Sequence, residues 1–205
     1  MEQGTPEWLA IRCGKVTASR MADLMAKTKS GPSASRANYM AELIVERLTG
    51  KPADMYINAA MQWGTEQEPH ARLAYEAKLG VLVNQVAFVP HPKIELSGCS
   101  PDGLIDADGM VEIKCPNTST HIETCITRTV PQKYQTQMQW QMACTGRKWV
   151  DFISYDPRLP DNFQVFIKRV ERDDAAIANM EKEVIDFLKE LDAKIVDLQE
   201  AFNKE

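Results

Sequence analysis

Apolar positions along the chain follow two rhythms, and the change between them falls near residue 80. Before it the period is that of helices. Thr17 is placed to cap a short helix reaching about residue 27, with Met21, Leu24 and Met25 on one face. Residues 27–35 read as a polar loop around Gly31-Pro32. A second helix, 35–49, carries Met40, Leu43, Ile44 and Leu48 as its stripe and stops at Gly50 and Pro52. Thr65 and Glu68 have capping-box spacing for a third helix, which Gly80 ends.

After residue 80 the pattern becomes that of strands. Residues 81–89 are rich in Val and end at Pro90; 94–99 follow. Segments 103–105 and 110–115 flank Asp106-Ala107-Asp108-Gly109, a hairpin signal. Pro131 opens a helix that Gly146 closes. Residues 149–155 and 163–170 read as two more strands. From 173 to 202 neither Pro nor Gly occurs, and Ile177, Val184, Leu188, Leu191, Ile195, Leu198 and Phe202 form one stripe. Such a helix is about 45 Å long. The expected fold is α+β (mixed α/β): a central, mainly antiparallel but mixed sheet flanked by helices, with a long C-terminal helix. One domain is expected over 1–205, with a helical part to residue 80, a sheet core at 81–170 and the final helix at 171–205.

Composition narrows the function. The 205 residues suit one domain, and 44 % hydrophobic residues can bury a core. No run of about 18 apolar residues exists, which excludes a helical membrane span. The first residues lack the basic start and apolar block of a signal peptide, so a cytoplasmic location is expected. Five cysteines, with no CxxC pair, argue against a zinc ribbon and for small buried hydrophobes in a reducing compartment. The net charge of −5 speaks against a nucleic-acid partner until its distribution is read. Residues 61–113 carry three basic and eight acidic side chains, whereas 114–150 carry five and one. Residues 1–60 are also slightly basic, with eight against six. A carboxylate cluster between basic strips suits a metal-dependent enzyme acting on a polyanion.

The chemistry concentrates at 100–116. Asp102 precedes one strand of the hairpin, and Glu112 and Lys114 share a face of the other. The turn returns Glu112 towards Asp102. Two carboxylates on neighbouring strands, joined by the backbone carbonyl of Ile113, make a hard-oxygen site for Mg²⁺. A lysine beside it can orient and polarise a water, or act as a base if burial lowers its proton affinity. The competing reading is a Pro-Asp-Gly turn followed by a solvated Glu–Lys pair. Val111 and Ile113, which would bury the opposite face, favour a structured central strand.

Asp102, Glu112, Ile113 and Lys114 match the PD-(D/E)xK nuclease signature. The longer strings resemble its lambda-phage exonuclease branch, the YqaJ-like viral recombinases. These strings are Trp8-Leu9-Ala10-Ile11-Arg12, Val16-Thr17-Ala18-Ser19, Trp63-Gly64-Thr65-Glu66-Gln67-Glu68, Ser100-Pro101-Asp102-Gly103-Leu104 and Glu112-Ile113-Lys114-Cys115-Pro116. Tyr134 to Gln141 and Tyr155-Asp156-Pro157-Arg158 are similar to later landmarks. The resemblance implies a restriction-endonuclease-like core. It implies a processive 5′→3′ exonuclease on linear double-stranded DNA, releasing 5′-mononucleotides and leaving a 3′ single strand. It also implies a ring-shaped homotrimer at DNA ends, a single-strand annealing protein as partner, no membrane, and a phage or prophage setting in a bacterial host.

The same resemblance implies roles. Asp102, Glu112 and the Ile113 carbonyl would hold Mg²⁺, with Glu68 reaching a second ion and Mn²⁺ able to substitute. Lys114 would assist the attacking water. Arg12, Thr17, Ser19, Ser100 and Gln137 match the pocket for the terminal 5′-phosphate, and Met61 stands where the family places a strand-separating wedge. Glu68 cannot serve fully both as cap and as ligand, and Thr17 and Ser19 have a rival role as helix caps. One departure stands out: the family carries an arginine where this chain has Thr120 or His121, and Arg128 is the nearest replacement in sequence. The alternatives are another nuclease of the superfamily, such as an endonuclease, and a silent DNA-end-binding adaptor.

Overall fold

The computed structural model describes residues 2–29, 31–53 and 58–203. In chain order the elements are α1 (Pro6–Arg12), β1 (Val16–Thr17), α2 (Met21–Met25), β2 (Lys27–Thr28), β3 (Gly31–Pro32), α3 (Ala34–Thr49), α4 (Ala59–Leu79), β4 (Val89–Pro90), β5 (Ser97–Cys99), β6 (Gly103–Ile105), β7 (Gly109–Lys114), α5 (Thr118–Thr127), α6 (Gln132–Thr145), β8 (Trp149–Tyr155), β9 (Val165–Glu171) and α7 (Asp174–Asn203). The fold is α+β, with the order β6-β7-β8-β9 in the main sheet. β6 and β9 run antiparallel to their neighbours, while β7 and β8 are parallel. A parallel pair needs a crossover, and α5 with α6 supplies it.

Strand alternation splits the core in two. Val111 and Ile113 of β7 and Ile153 of β8 face α4, which buries Ala71 and Tyr75 against them. Met110, Val150 and Phe152 face the other way, onto α6 and α7. α6 contributes Met138, Trp140 and Met142 there; α7 contributes Val184 and Phe187. The hairpin turn closes tightly because Gly109 lies under Trp149: a Cβ there would sit 2.1 Å from the indole. Arg147 pins the turn by donating to the carbonyls of Ile105, Asp106 and Gly109.

Several boundaries differ from expectation. Thr17 belongs to β1, and its side chain makes no cap; a 3₁₀ turn, Ala18–Arg20, leads into α2. Residues 27–35 hold a small antiparallel pair, β2–β3, around residue 30, which lies outside the described residues. α4 starts at Ala59 on an Asn58 cap, so Thr65 and Glu68 lie inside the helix and form no capping box. Thr65 Oγ1 instead donates to the Met61 carbonyl. Of 81–89 only Val89 is in a strand, and Asn84 makes a single bridge to Leu104. α1 and α5 had no counterpart in the periodicity, because they are short and opened by Thr5 and Asn117 caps rather than long apolar stripes. Of the four tryptophans only Trp140 is fully buried. All five cysteines are free, and Cys99, Cys115 and Cys144 are buried. The α7 stripe packs on the body from Ile177 to Leu191, whereas Leu198 and Phe202 are exposed. Among the described residues no helix is long and apolar enough to cross a membrane.

Candidate active site

The site forms where β6 stops. β6 pairs with β7 only as far as Val111, so the outer edge of Glu112 to Lys114 has no strand beside it. Asp102 fills that edge: its Oδ2 accepts the Ile113 N–H at 2.6 Å. N–H and C=O of one strand residue leave on the same side, so the Ile113 carbonyl faces the edge that holds Asp102. Glu112 is fully buried and points towards α6. Gln137 Nε2 donates to its Oε1 at 2.7 Å, and Gln141 Nε2 to its Oε2 at 2.6 Å. Spacing of four residues puts both amides on one helix face. Lys114 Nζ contacts Glu112 Oε1 and lies 5.2 Å from the centre of the Tyr134 ring. Glu68 approaches from α4, with Arg72 one turn further along it.

These groups feel one another. Burial pushes the Asp102 carboxyl well above its usual range, and the charges of Glu112 and Glu68 push the same way; Lys114 and the Ile113 N–H oppose. Burial also raises Glu68, against the pull of Arg72 and Lys114. For Lys114 burial works downward, but Glu112 and Asp102 outweigh it and raise the ammonium above its ordinary value. Without a cation in the site, its carboxylate neighbours hold the lysine charged. Among the described residues no three His, Cys, Asp or Glu side chains gather closely enough to form a ligand set alone. The donors present are two carboxylates and a peptide carbonyl, with Glu68 across the cleft. That oxygen set fits Mg²⁺, which keeps several waters of its own.

The second group of predicted residues lies beside a cavity of about 440 Å³ lined by Arg12, Thr17, Ser19 and Met61. Arg12 ends α1, lies over the Trp8 ring with its Cζ 4.0 Å from the centre, and donates to Ser100 Oγ at 3.1 Å. Trp8 Nε1 donates to the same hydroxyl at 2.9 Å. Thr17 and Ser19 pair their hydroxyls at 3.4 Å. Arg20, in the same wall, is held by both oxygens of Glu42 and by Asp23. Arg12 makes no ion pair among the described residues, so its charge is available to an anion. Gln137 is the exception in this group: the structure sets its amide on Glu112. Met61 is about half exposed, so it is no core residue.

His121 faces inward, bonded to Ser154 Oγ and the Phe163 carbonyl at 2.8 Å each, and cannot stand in for an arginine at the surface. Arg128 lies over the Phe166 ring. Arg158 grips Asp156, reaches the Pro116 carbonyl at 3.1 Å and covers Trp63, so it ties the end of β7 to α4. Gln141 and Arg72 were missed by sequence reasoning. The available signal was the Gln-x-x-x-Gln spacing; nothing local marks Arg72.

Residues 7–148 match the YqaJ-like viral recombinase domain family. The chain is similar to the alkaline exonuclease LHK-Exo from Laribacter hongkongensis: 56 % identity, TM-score 0.91, covering 98 % of this chain and 99 % of that one. The same enzyme in complex with dAMP aligns at TM-score 0.92 over the same shares. A phage-related exonuclease from Haemophilus somnus 129PT, at 16 % identity, shares the fold: TM-score 0.74 over 90 % of this chain and 96 % of that one. A search of curated protein sequences found no match.

Proposed function

This chain belongs to the YqaJ-like viral recombinase domain family, and on that premise we propose that it is a Mg²⁺-dependent, processive 5′→3′ exonuclease of linear double-stranded DNA. It releases 5′-mononucleotides and leaves a 3′ single strand for annealing-based recombination in the cytoplasm of a bacterial host. The observation that carries the reading is the pairing of two features. One is the carboxylate edge of β7 with a single shared lysine. The other is an Arg12–Ser100 pocket, with Ser100 two residues before Asp102, suited to a terminal phosphate. The 56 % identity to an alkaline exonuclease over nearly the whole chain supports it.

In this mechanism Asp102, Glu112 and the Ile113 carbonyl would hold one Mg²⁺ and Glu68 would reach a second, with Mn²⁺ expected to substitute. Bound Mg²⁺ supplies a Lewis acid at the scissile phosphate. Gln137 and Gln141 keep Glu112 from rotating. Lys114, charged, orients the attacking water and faces the negative charge that develops on the phosphate. Arg12 offers a planar fork to the terminal phosphate, with Ser100, Thr17 and Ser19 as neutral donors and Gln137 at the border with the metal site. Holding the end phosphate while cutting one nucleotide along explains the polarity. Met61, exposed beside that pocket, acts as the wedge. A ring-shaped homotrimer and an annealing protein complete the proposal; Leu198 and Phe202, exposed on α7, are available for such contacts.

Digestion of linear duplex with 5′-phosphate or 5′-hydroxyl ends, beside closed circles and an EDTA control, tests the reading. Mononucleotides from phosphorylated ends, lost in EDTA and in Lys114→Ala, are expected. Cleaved circles would point to an endonuclease, and DNA bound but intact to an end-binding adaptor.

A further inference from the structure

Arg72 stands beside the site, and Glu68 is its one ion-pair partner among the described residues. Its side chain is only 15 % exposed, and its Nη1 is buried with no hydrogen-bond partner among the described residues. Glu68 Oε1 lies 3.6 Å away, too far for a hydrogen bond. A buried guanidinium nitrogen left so is costly. The cost grows if Glu68 turns to a metal ion, because the nearby negative charge is then shared with the cation. A second anion is called for at this point.

The space for one exists. Arg72 and Glu68 open on a cavity of about 650 Å³, whose wall also holds Glu2, Gln3, Thr65, Gln85 and Trp8. Trp8 also lines the Arg12 cavity, so the two spaces meet at one indole. Gln3 Nε2 donates to the Val86 and Pro101 carbonyls and Thr65 Oγ1 to that of Met61, so the Gln3 amide oxygen and Gln85 are left to pair with a base edge, and an indole can pack against any base. Nothing in that wall selects one base, as a nuclease that removes every nucleotide in turn requires. A processive enzyme also needs a way out for each product while duplex still fills the way in.

We propose that this second cavity receives the released deoxynucleoside 5′-monophosphate, with Arg72 taking its phosphate. The proposal rests on the exonuclease reading and adds the product's exit to it. It separates two arginines: Arg12 holds the phosphate of the DNA end, Arg72 that of the departing nucleotide.

Equilibrium dialysis of dAMP with Mg²⁺ tests it on wild type, Arg72→Gln, Arg72→Lys and Arg12→Gln, with deoxyadenosine as the phosphate-free control. Arg72→Gln is expected to weaken dAMP by about tenfold or more, the loss of a charge-assisted contact, and to leave deoxyadenosine unchanged. Arg12→Gln is expected to weaken dAMP by no more than about threefold. Arg72→Lys keeps the charge but not the fork, so a partial loss is expected; if the Gln variant does not fold, this one carries the test. Unchanged dAMP affinity in the Arg72 variants, or a loss confined to Arg12→Gln, overturns the proposal. Duplex digestion by the same wild-type preparation keeps the two readings apart. DNA left intact by a protein that holds dAMP through Arg72 removes the exonuclease reading and retains the site. DNA digested by a protein whose dAMP binding ignores Arg72 does the reverse.

Discussion

Glu112 and Asp151 are buried carboxylates on adjacent strands of one sheet, facing opposite sides of it. Asp151 accepts from the Tyr75 hydroxyl at 2.7 Å and from Nε and Nη2 of Arg169 at 2.8 and 2.9 Å, and Arg169 covers Trp149 at 3.5 Å. Its charge is matched by a forked cation, and no buried side-chain atom of that group lacks a partner among the described residues. Burial, with Asp151 adding, raises the Tyr75 hydroxyl so that it stays a donor. Around Glu112 one lysine is shared with Asp102, and two buried atoms nearby, Gln141 Oε1 and Arg72 Nη1, lack partners among the described residues. Burial of a carboxylate is thus no mark of a site. What marks it is like charge gathered with too little compensation, which a cation can relieve.

The largest contrast is expected from Lys114→Ala. Duplex digestion by the folded protein should fall by about 10²–10⁴-fold, far more than the loss of melting temperature that follows when Glu112 loses its cation. A variant that melts early but digests normally would erase the distinction. Asp151→Ala should do the opposite. It is expected to cost on the order of 3 kcal/mol in urea unfolding, because Tyr75 and Arg169 lose their acceptor, and to leave the folded fraction active. Activity lost without loss of stability would make Asp151 part of the site.

Gln141→Leu keeps the helix face filled but frees Glu112. The Mg²⁺ concentration at half-maximal activity should rise by about 10–100-fold. An unchanged Mg²⁺ requirement would show that Lys114 and Gln137 suffice to hold the carboxylate. The smallest effect is in pH. A carboxyl raised in the folded protein favours folding at low pH, and that contribution is lost as pH rises through the raised value. In EDTA, wild type should therefore lose melting temperature relative to Asp102→Asn as pH rises from the ordinary carboxylate range, and Mg²⁺ should restore it. Parallel melting curves across that range would contradict the burial of charge at Asp102.

Much of the architecture was legible because it is local. The α3 stripe with Gly50 after it, the hairpin about Asp106–Gly109, the helix between Pro131 and Gly146, and the long α7 all follow from period and punctuation. The failures are also physical. Thr65 and Glu68 have the spacing of a cap, but Asn58 starts α4 earlier and Pro69 is tolerated inside it. Residues 81–89 are β-prone, yet only Val89 and a bridge at Asn84 find a partner, since β-propensity needs a neighbouring edge.

The sequence alone determined the chemistry available: Asp102, Glu112 and Lys114 at strand spacing, Arg12 at a helix end, and the family to which such strings belong. Tertiary structure decided which groups share a charge. It put Gln137 on Glu112, turned His121 inward, gave Asp151 an arginine from β9, and left Arg72 beside a cavity. Those outcomes depend on contacts between residues far apart in the chain. Hydrogen bonding and desolvation act over a few ångströms of space, whatever the separation in sequence.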